Sequence, residues 1–153
     1  RIKYTCHMEI ILKSENNSLQ VLDNIVEQLM DNFQIDREMF ASLLVVLDEA
    51  VENAIKLDLN KSQQNDIIIN STLVDNIFSI SITHSNTGFS ASSDLQIITK
   101  LADKVELYNN GQSIKLDFDL VLFEQMRLSE KRREAILAEK SKHLQISKKQ
   151  NVQ

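Results

Sequence analysis

Two side chains in this sequence have types and a spacing that could support chemistry: Glu49 and Asn53, in the stretch LDEAVENAI. An α-helix completes a turn about every 3.6 residues, so the two lie one turn apart on the same face of a predicted helix. The Asn53 oxygen could coordinate a hard cation, and Glu49 could accept a proton. The spacing alone favours a plainer interpretation, in which both are exposed beside an i, i+4 ion pair of Glu52 with Lys56.

The other candidates for catalytic or metal chemistry are weak. His7, His84 and His143 have no partner at the spacing that a metal site needs, so we interpret them as surface or sheet residues. Cys6 is the single cysteine, and its place in an alternating stretch predicts a small core residue rather than a nucleophile. A single cysteine cannot form a disulfide within this sequence, which is typical of a reducing compartment. We therefore expect a cytoplasmic protein.

The distribution of charge argues against nucleic acid as a partner. Residues 1–123 contain 9 Lys and Arg against 18 Asp and Glu, a net charge of −9, whereas residues 124–153 contain 8 against 4, a net charge of +4. An acidic body of this kind repels phosphate, and basic residues interspersed with glutamates are typical of a solvated helix. No apolar run reaches the roughly 20 residues that a membrane span requires. We expect neither a nucleic acid nor a membrane as a partner.

The hydrophobic pattern changes its period along the chain and so predicts the first elements. Apolar residues alternate with polar ones over residues 4–12, and this period of two predicts a half-buried strand. A helical period begins at Leu19, where Asn17 or Ser18 is placed to cap the first free amides. The chain therefore begins with a strand followed by an amphipathic helix.

The second predicted helix contains the candidate pair. Asp36 is placed to cap it, and its apolar spacing continues to about Leu57. If this helix were simply amphipathic, the side of the candidate pair would be uniformly polar. Val45 and Val46 instead flank that side. This arrangement predicts that the carboxylate and the carboxamide form part of the wall of a cleft.

Two hairpins are predicted in the second half of the chain. The strand-like runs 66–73 and 77–83 are separated by Asp75-Asn76, a pair that tolerates hairpin turn geometry. A short helix over 95–105 precedes a second pair of strands, which an Asn109-Asn110-Gly111 turn connects. The strands of each pair should therefore run antiparallel.

The order of elements predicts an α+β fold. It reads strand, helix, helix, hairpin, helix, hairpin, helix, and the hairpin connections are too short for parallel crossovers. The sheet should be mainly antiparallel with helices on one face, a two-layer sandwich. A long polar helix from Leu122 to about Ile146 follows, in which Glu130 and Arg133 interrupt the apolar stripe.

The amino-acid sequence around the candidate pair resembles that of a known family. LLVVLDEAVENAIK is similar to the N-box helix of the GHKL (histidine kinase-like) ATPase superfamily, particularly its small anti-sigma-factor serine kinases. LADKVELYNNGQSIKLDFDL resembles the ending of the same family, and the likeness covers roughly residues 3–120. The resemblance implies a Bergerat-like fold, with Glu49 at the general-base position and Asn53 at the magnesium-ligand position.

The departures from the family pattern imply that the ATP site is degenerate. The family's nucleotide-binding positions correspond to Asn53, His84, Asn86 and Gly88, but its D-x-G-x-G motif reads HSNTG here. His84 lacks the fixed negative charge and the double acceptor of the carboxylate that binds adenine in the family. The phosphate lid of the family is replaced by SASSD, and Asp94 at the helix start would oppose a triphosphate. We therefore predict no cofactor.

The sequence is best interpreted as a degenerate GHKL domain, residues 1–121, followed by a helical tail, residues 122–153. By resemblance it is a non-enzymatic regulatory module, a pseudokinase that binds a sigma factor, an anti-anti-sigma factor or another signalling protein. The family also implies a homodimer, and the basic tail could dock on an acidic surface of its own subunit or of a neighbour. Two alternatives stay open. One is an active serine/threonine kinase that uses ATP and magnesium, and the other is a structural oligomerisation module.

Overall fold

The computed structural model describes residues 6–60, 65–84 and 95–150. These residues form two separate units, one ending at Asp119 and the other beginning at Leu120. The first unit contains a five-stranded sheet and three α-helices, whereas the second is a single helix. Of the helices in these ranges, none is long and apolar enough to cross a membrane.

The sheet is antiparallel throughout its described strands. In chain order they are β1 (Cys6–Lys13), β2 (Asp66–Val74), β3 (Ile77–His84), β4 (Lys104–Tyr108) and β5 (Ser113–Asp119). Their spatial order is β1-β2-β3-β5-β4, so β1 and β4 form the two edges. Each hairpin pairs its own two strands, and β3 with β5 joins the hairpins in the centre. The predicted α+β class with a mainly antiparallel sheet is confirmed.

The helices of the first unit follow β1 and the central hairpin. A 3-10 turn, Asn16–Val21, leads into α1 (Leu22–Phe33), and a second 3-10 turn, Arg37–Met39, leads into α2 (Phe40–Asn60). The short helix α3 (Leu95–Leu101) precedes β4. The second unit is α4 (Leu120–Gln150), which is longer at both ends than the predicted tail helix.

One face of the sheet packs against helices and forms the core. Alternate residues of the central strands are buried: Ile67, Ile69, Phe78, Ile80, Ile82, Ile114, Leu116 and Phe118. The Phe78 ring lies 5.0 Å from the Phe33 ring of α1, centroid to centroid, and 6.5 Å from the Phe118 ring. The apolar stripe of α1 is buried as its spacing predicts. The core therefore lies between this face and the helices.

Both hairpin turns have the backbone that their sequences predict. Asp75 and Asn76 have φ angles of 51° and 64°, and they connect Val74 to its partner Ile77. Positive φ at both central positions is typical of a type I′ turn, whose twist suits a two-residue hairpin. Asn109, Asn110 and Gly111 also have positive φ, at 53°, 56° and 81°. Asparagine and glycine tolerate this region better than other residues.

Three local predictions are wrong. Cys6 is exposed rather than buried, because β1 is an edge strand and the sheet covers it poorly. Neither Asn17 nor Ser18 caps a helix, since a 3-10 turn begins at Asn16 and the Ser18 hydroxyl donates to the Lys13 carbonyl. The third helix ends at Leu101, and the residues after it enter β4 instead. The predicted start of the first strand at Tyr4 lies outside the described residues.

Candidate functional site

Helix α2 positions the candidate pair at the border between core and solvent. The Asp36 carboxylate accepts a hydrogen bond of 2.9 Å from the Glu38 backbone amide, which confirms the predicted cap at the entry to this segment. One side of α2 is buried against the core through Leu43, Leu47, Ala50, Val51, Ala54 and Ile55. Glu49 and Asn53 are half-buried beside this stripe. Their position keeps both polar groups within reach of solvent.

The two valines near the pair differ in their surroundings. Val46 is fully buried, whereas Val45 is 39% exposed. At about 100° per residue Val45 lies about 40° from Glu49, and Val46 lies about 20° from Asn53, so both valines flank the candidate pair as predicted. Val46 also joins the core stripe, so the apolar border is buried on its side and partly exposed on the side of Val45.

The described residues around the pair enclose a small hollow. Glu49, Glu52, Asn53 and Lys56 line it, and its volume is about 20 Å³. The Lys56 ammonium lies 3.2 Å from a Glu52 carboxylate oxygen, so the ion pair of the plainer interpretation is present. A space of this size holds about one water molecule, whereas ligand pockets usually measure roughly 300–1,000 Å³. The four side chains therefore line a small, open hollow on the surface of α2.

The charges around the hollow limit what it can bind. Two carboxylates and one ammonium line it, a formal charge of −1. The oxygens of Glu49 and Asn53 suit a hard cation, but Lys56 lines the same hollow, and its ammonium would repel one. Within the described ranges, no group of three or more His, Cys, Asp or Glu side chains is placed to hold a metal.

Lys56, like Glu52, lines the hollow although the sequence assigned it only to the neighbouring ion pair. Its spacing of three from Asn53 and four from Glu52 places it on the same helix face, and this signal was available in the sequence. Its side chain is 64% exposed, so it can move towards or away from the hollow. The ion pair with Glu52 is therefore a weak constraint, because exposed pairs contribute little.

His84 lies in the core at the end of β3. It is 1% exposed and shares a sheet face with Ile80 and Ile82, opposite Ile67 of β2. Its backbone amide donates a hydrogen bond of 3.0 Å to the Gln112 carbonyl. A neutral imidazole is far less costly to bury than a carboxylate. The position that the resemblance gives to the adenine carboxylate is therefore a buried one in this fold.

The remaining predicted site residues are not brought to the hollow by the described structure. Asn86 and Gly88, assigned by resemblance to nucleotide binding, lie outside the described residues, as does Asp94 of the shortened lid. His7 and His143 are exposed on β1 and α4. The described geometry thus joins Glu49 with Asn53, places His84 in the core, and leaves the rest of the predicted site as a prediction.

A solved crystal structure contains a similar arrangement of helices and strands. This chain is similar to the crystal structure of the RsbU and RsbW domains of Rv1364c from Mycobacterium tuberculosis, with a TM-score of 0.61 and 17% sequence identity. The match covers 75% of this chain and 32% of that chain, so this chain spans about a third of its length. No protein-family model matches the sequence. No curated protein matches it either. The likeness therefore shows a shared fold.

Proposed function

We propose that the first unit is a regulatory domain of the anti-sigma-factor type, which binds a signalling protein and does not bind nucleotide. The partner is a sigma factor, an anti-anti-sigma factor or another protein of such a system. The domain has no catalytic role in this proposal. Glu49 and Asn53 stand at the family's positions for a general base and a magnesium ligand. In this proposal they have neither role and are only polar residues on the surface of α2.

Two kinds of observation support a regulatory role. The fold is similar to a structure that contains an RsbW domain. The N-box-like sequence of α2 and the sequence at the end of the first unit resemble those of anti-sigma-factor kinases. The first concerns the backbone arrangement and the second the residues of one helix and of the last hairpin, and the two agree. A protein partner is therefore the natural ligand of this domain.

The proposed loss of nucleotide binding rests mainly on the identity and burial of His84. Adenine recognition in the family uses a carboxylate, and the residue at that position is a buried histidine. The hollow beside Asn53 supports the same conclusion, because the Lys56 ammonium, paired with Glu52, is among the groups that line it. A magnesium ion bound through Asn53 would lie close to the Lys56 ammonium and be repelled by it.

An active kinase is the second candidate function. The observation in its favour is that Glu49 and Asn53 line one hollow and are both half-exposed, as a base and a metal ligand should be. This alternative requires a rebuilt adenine site around His84. It predicts nucleotide binding, whereas the first proposal predicts none.

A thermal-shift titration with ATP and ADP, each with magnesium, tests the choice. A ligand at 100 times its dissociation constant stabilises a fold by roughly 2.7 kcal/mol, which raises the melting temperature by several degrees. We expect no shift at millimolar nucleotide. A shift that the Asn53→Ala variant abolishes would refute the first proposal and would show the nucleotide binding that the second requires.

The regulatory role needs a separate test with purified proteins. Sigma factors and anti-anti-sigma proteins encoded in the same genome can be titrated into the chain by calorimetry without nucleotide. We expect one of them to bind saturably, and Asn53→Ala to leave that affinity unchanged. The absence of binding by every member of both classes would refute the regulatory proposal.

A further inference from the structure

The turn between β4 and β5 contains the one asparagine of this sequence that a glycine follows. The sequence has two glycines, and of these Gly111 follows Asn110 whereas Gly88 follows Thr87. Asn110 is exposed, and φ angles of 56° at Asn110 and 81° at Gly111 place both residues in the left-handed region. Asparagine is among the thermolabile residues of proteins. An exposed Asn-Gly pair is therefore a candidate site of chemical modification.

The reaction open to this pair is deamidation. The backbone nitrogen of Gly111 forms a bond to Cγ of Asn110, the bond from Cγ to Nδ2 breaks, and ammonia leaves with the proton of the Gly111 amide. Because glycine has no Cβ, no side chain crowds the attacking nitrogen. Water then opens the resulting succinimide ring, its hydroxyl bonding to one of the two ring carbonyl carbons and its proton passing to the ring nitrogen. Opening at one carbonyl gives aspartate, and opening at the other gives isoaspartate.

Hydrogen bonds of the turn hold the attacking nitrogen in the folded chain. The Gly111 amide donates to the Tyr108 carbonyl over 3.1 Å. The Gln112 amide donates to the Asn109 carbonyl over the same distance. Both bonds belong to an exposed turn at the end of an edge strand, and bonds of this kind open locally at a small cost in free energy. The reaction therefore proceeds from the opened turn, and folding slows it without preventing it.

The turn is hydrogen-bonded to the end of β3, so a change in its backbone reaches His84. The Gln112 carbonyl accepts a hydrogen bond of 3.0 Å from the His84 amide. The Thr83 and Ser113 hydroxyls lie 2.9 Å apart, and Asn109 Nδ2 donates to the Ser113 hydroxyl over 3.4 Å. Isoaspartate inserts one extra atom into the backbone of the turn, so the amides that follow it lose the alignment with their acceptors that hydrogen bonds require.

We propose that Asn110 is a site of spontaneous deamidation, and that its isoaspartate product loosens the β4–β5 turn together with the end of β3 at His84. The aspartate product adds the same negative charge without the extra backbone atom, so it leaves these hydrogen bonds in place. Asn76 is the comparison within the chain, since it is also exposed in a hairpin turn, with a φ of 64°. Ile77 follows it, and the branched Cβ of isoleucine crowds the attacking nitrogen. The proposal is independent of the proposed regulatory function, because it depends only on the chemistry of the turn.

Peptide mapping of the aged full chain tests the site. The chain is incubated in mildly alkaline buffer, folded or unfolded in urea, and mass spectrometry follows the conversion of each asparagine amide to an acid. We expect Asn110 to convert several times faster than Asn76 in the folded chain, with isoaspartate as the larger product, and faster still in urea. Conversion of Asn76 as fast as that of Asn110 would overturn the proposal. So would an Asn110 that stays an amide in the folded chain after the unfolded chain has converted.

Hydrogen–deuterium exchange tests the effect on β3. Asn110→Gly is the matched control, because glycine accepts the positive φ and has no carboxamide to react. Freshly prepared Asn110→Asp supplies the charge alone. We expect the aged original chain to exchange several times faster than the fresh chain in peptides that contain His84 or Gln112, and we expect no such change in aged Asn110→Gly or fresh Asn110→Asp. Unchanged exchange at His84 after deamidation would overturn the proposal, as would an equal increase in either variant.

Discussion

Replacing His84 by aspartate restores the type of residue that the family uses to bind adenine, and we expect it to destabilise the fold without restoring nucleotide binding. His84 is 1% exposed, so an aspartate at this position would be almost fully buried. Burial disfavours the charged form of a carboxyl group and raises its pKa, by roughly 3 units at a site of this kind. One unit corresponds to about 1.4 kcal/mol, which gives a cost of about 4 kcal/mol at pH 7. This is a large fraction of the roughly 5–15 kcal/mol that stabilises a typical domain.

The sign of the pH dependence follows from the raised pKa. The folded state would hold a proton on the new aspartate at pH values where the unfolded state has lost it, so stability falls as pH rises. Because the pKa of an unfolded aspartate is about 3.9, the loss should begin above about pH 4 and level off near pH 7. Between pH 5 and pH 7 the variant should lose about 2 kcal/mol more than a neutral reference.

Urea denaturation of His84→Asp and His84→Asn at both pH values measures this difference. Asparagine has nearly the same shape as aspartate but no charge. The difference in stability between the two variants therefore reports the charge and not the change in side-chain size. Thermal-shift titration of both variants with magnesium-ATP completes the experiment. A His84→Asp variant as stable as His84→Asn at pH 7, and stabilised by nucleotide, would refute the reasoning. In that case a nucleotide could reach this position, and the histidine would account for the lost binding.

Three further substitutions test the fold and the candidate site. Asn53→Ala should change the free energy of unfolding by less than about 0.5 kcal/mol, because Asn53 is half-exposed beside solvent; a loss above about 2 kcal/mol would show that its amide has a structural role. Asn76→Gly should leave stability equal or raise it, whereas Asn76→Val should lower it by about 1–3 kcal/mol, since φ is 64° there; equal stability of the two variants by urea denaturation would contradict this. Phe78→Ala should cost about 3–5 kcal/mol and Phe78→Leu much less, because Phe78 is fully buried; an alanine variant within about 1 kcal/mol of the original chain would be inconsistent with this core.

The sequence predicted most of the secondary structure because that information is local. The buried stripe of α1, the turns at Asp75-Asn76 and Asn109-Asn110-Gly111, and the alternation of the central strands all follow from neighbouring residues. The cap at Asp36 was predicted for the same reason. Each of these features depends on spacing within one element, which can be read without knowing its partners.

The candidate site was predicted only in part. The spacing of Glu49 and Asn53 placed both side chains on one face, and the same spacing indicated the ion pair of Glu52 with Lys56. The size of the hollow could not be predicted, because it depends on side-chain conformations that residue spacing does not determine. The burial of His84 also depends on which face of β3 turns towards the helices.

By itself, the sequence determined the elements, the antiparallel pairing within each hairpin and the resemblance to the GHKL superfamily. The tertiary structure alone decided which strands form the edges, and therefore that Cys6 is exposed. It also decided that Val46 joins the core while Val45 remains partly exposed, and that α3 ends at Leu101 so that the chain can pair as β4. The physical reason is the same in each case. Periodicity determines which residues share a face, but burial is a property of the surface that covers that face, and residues distant in the sequence supply it.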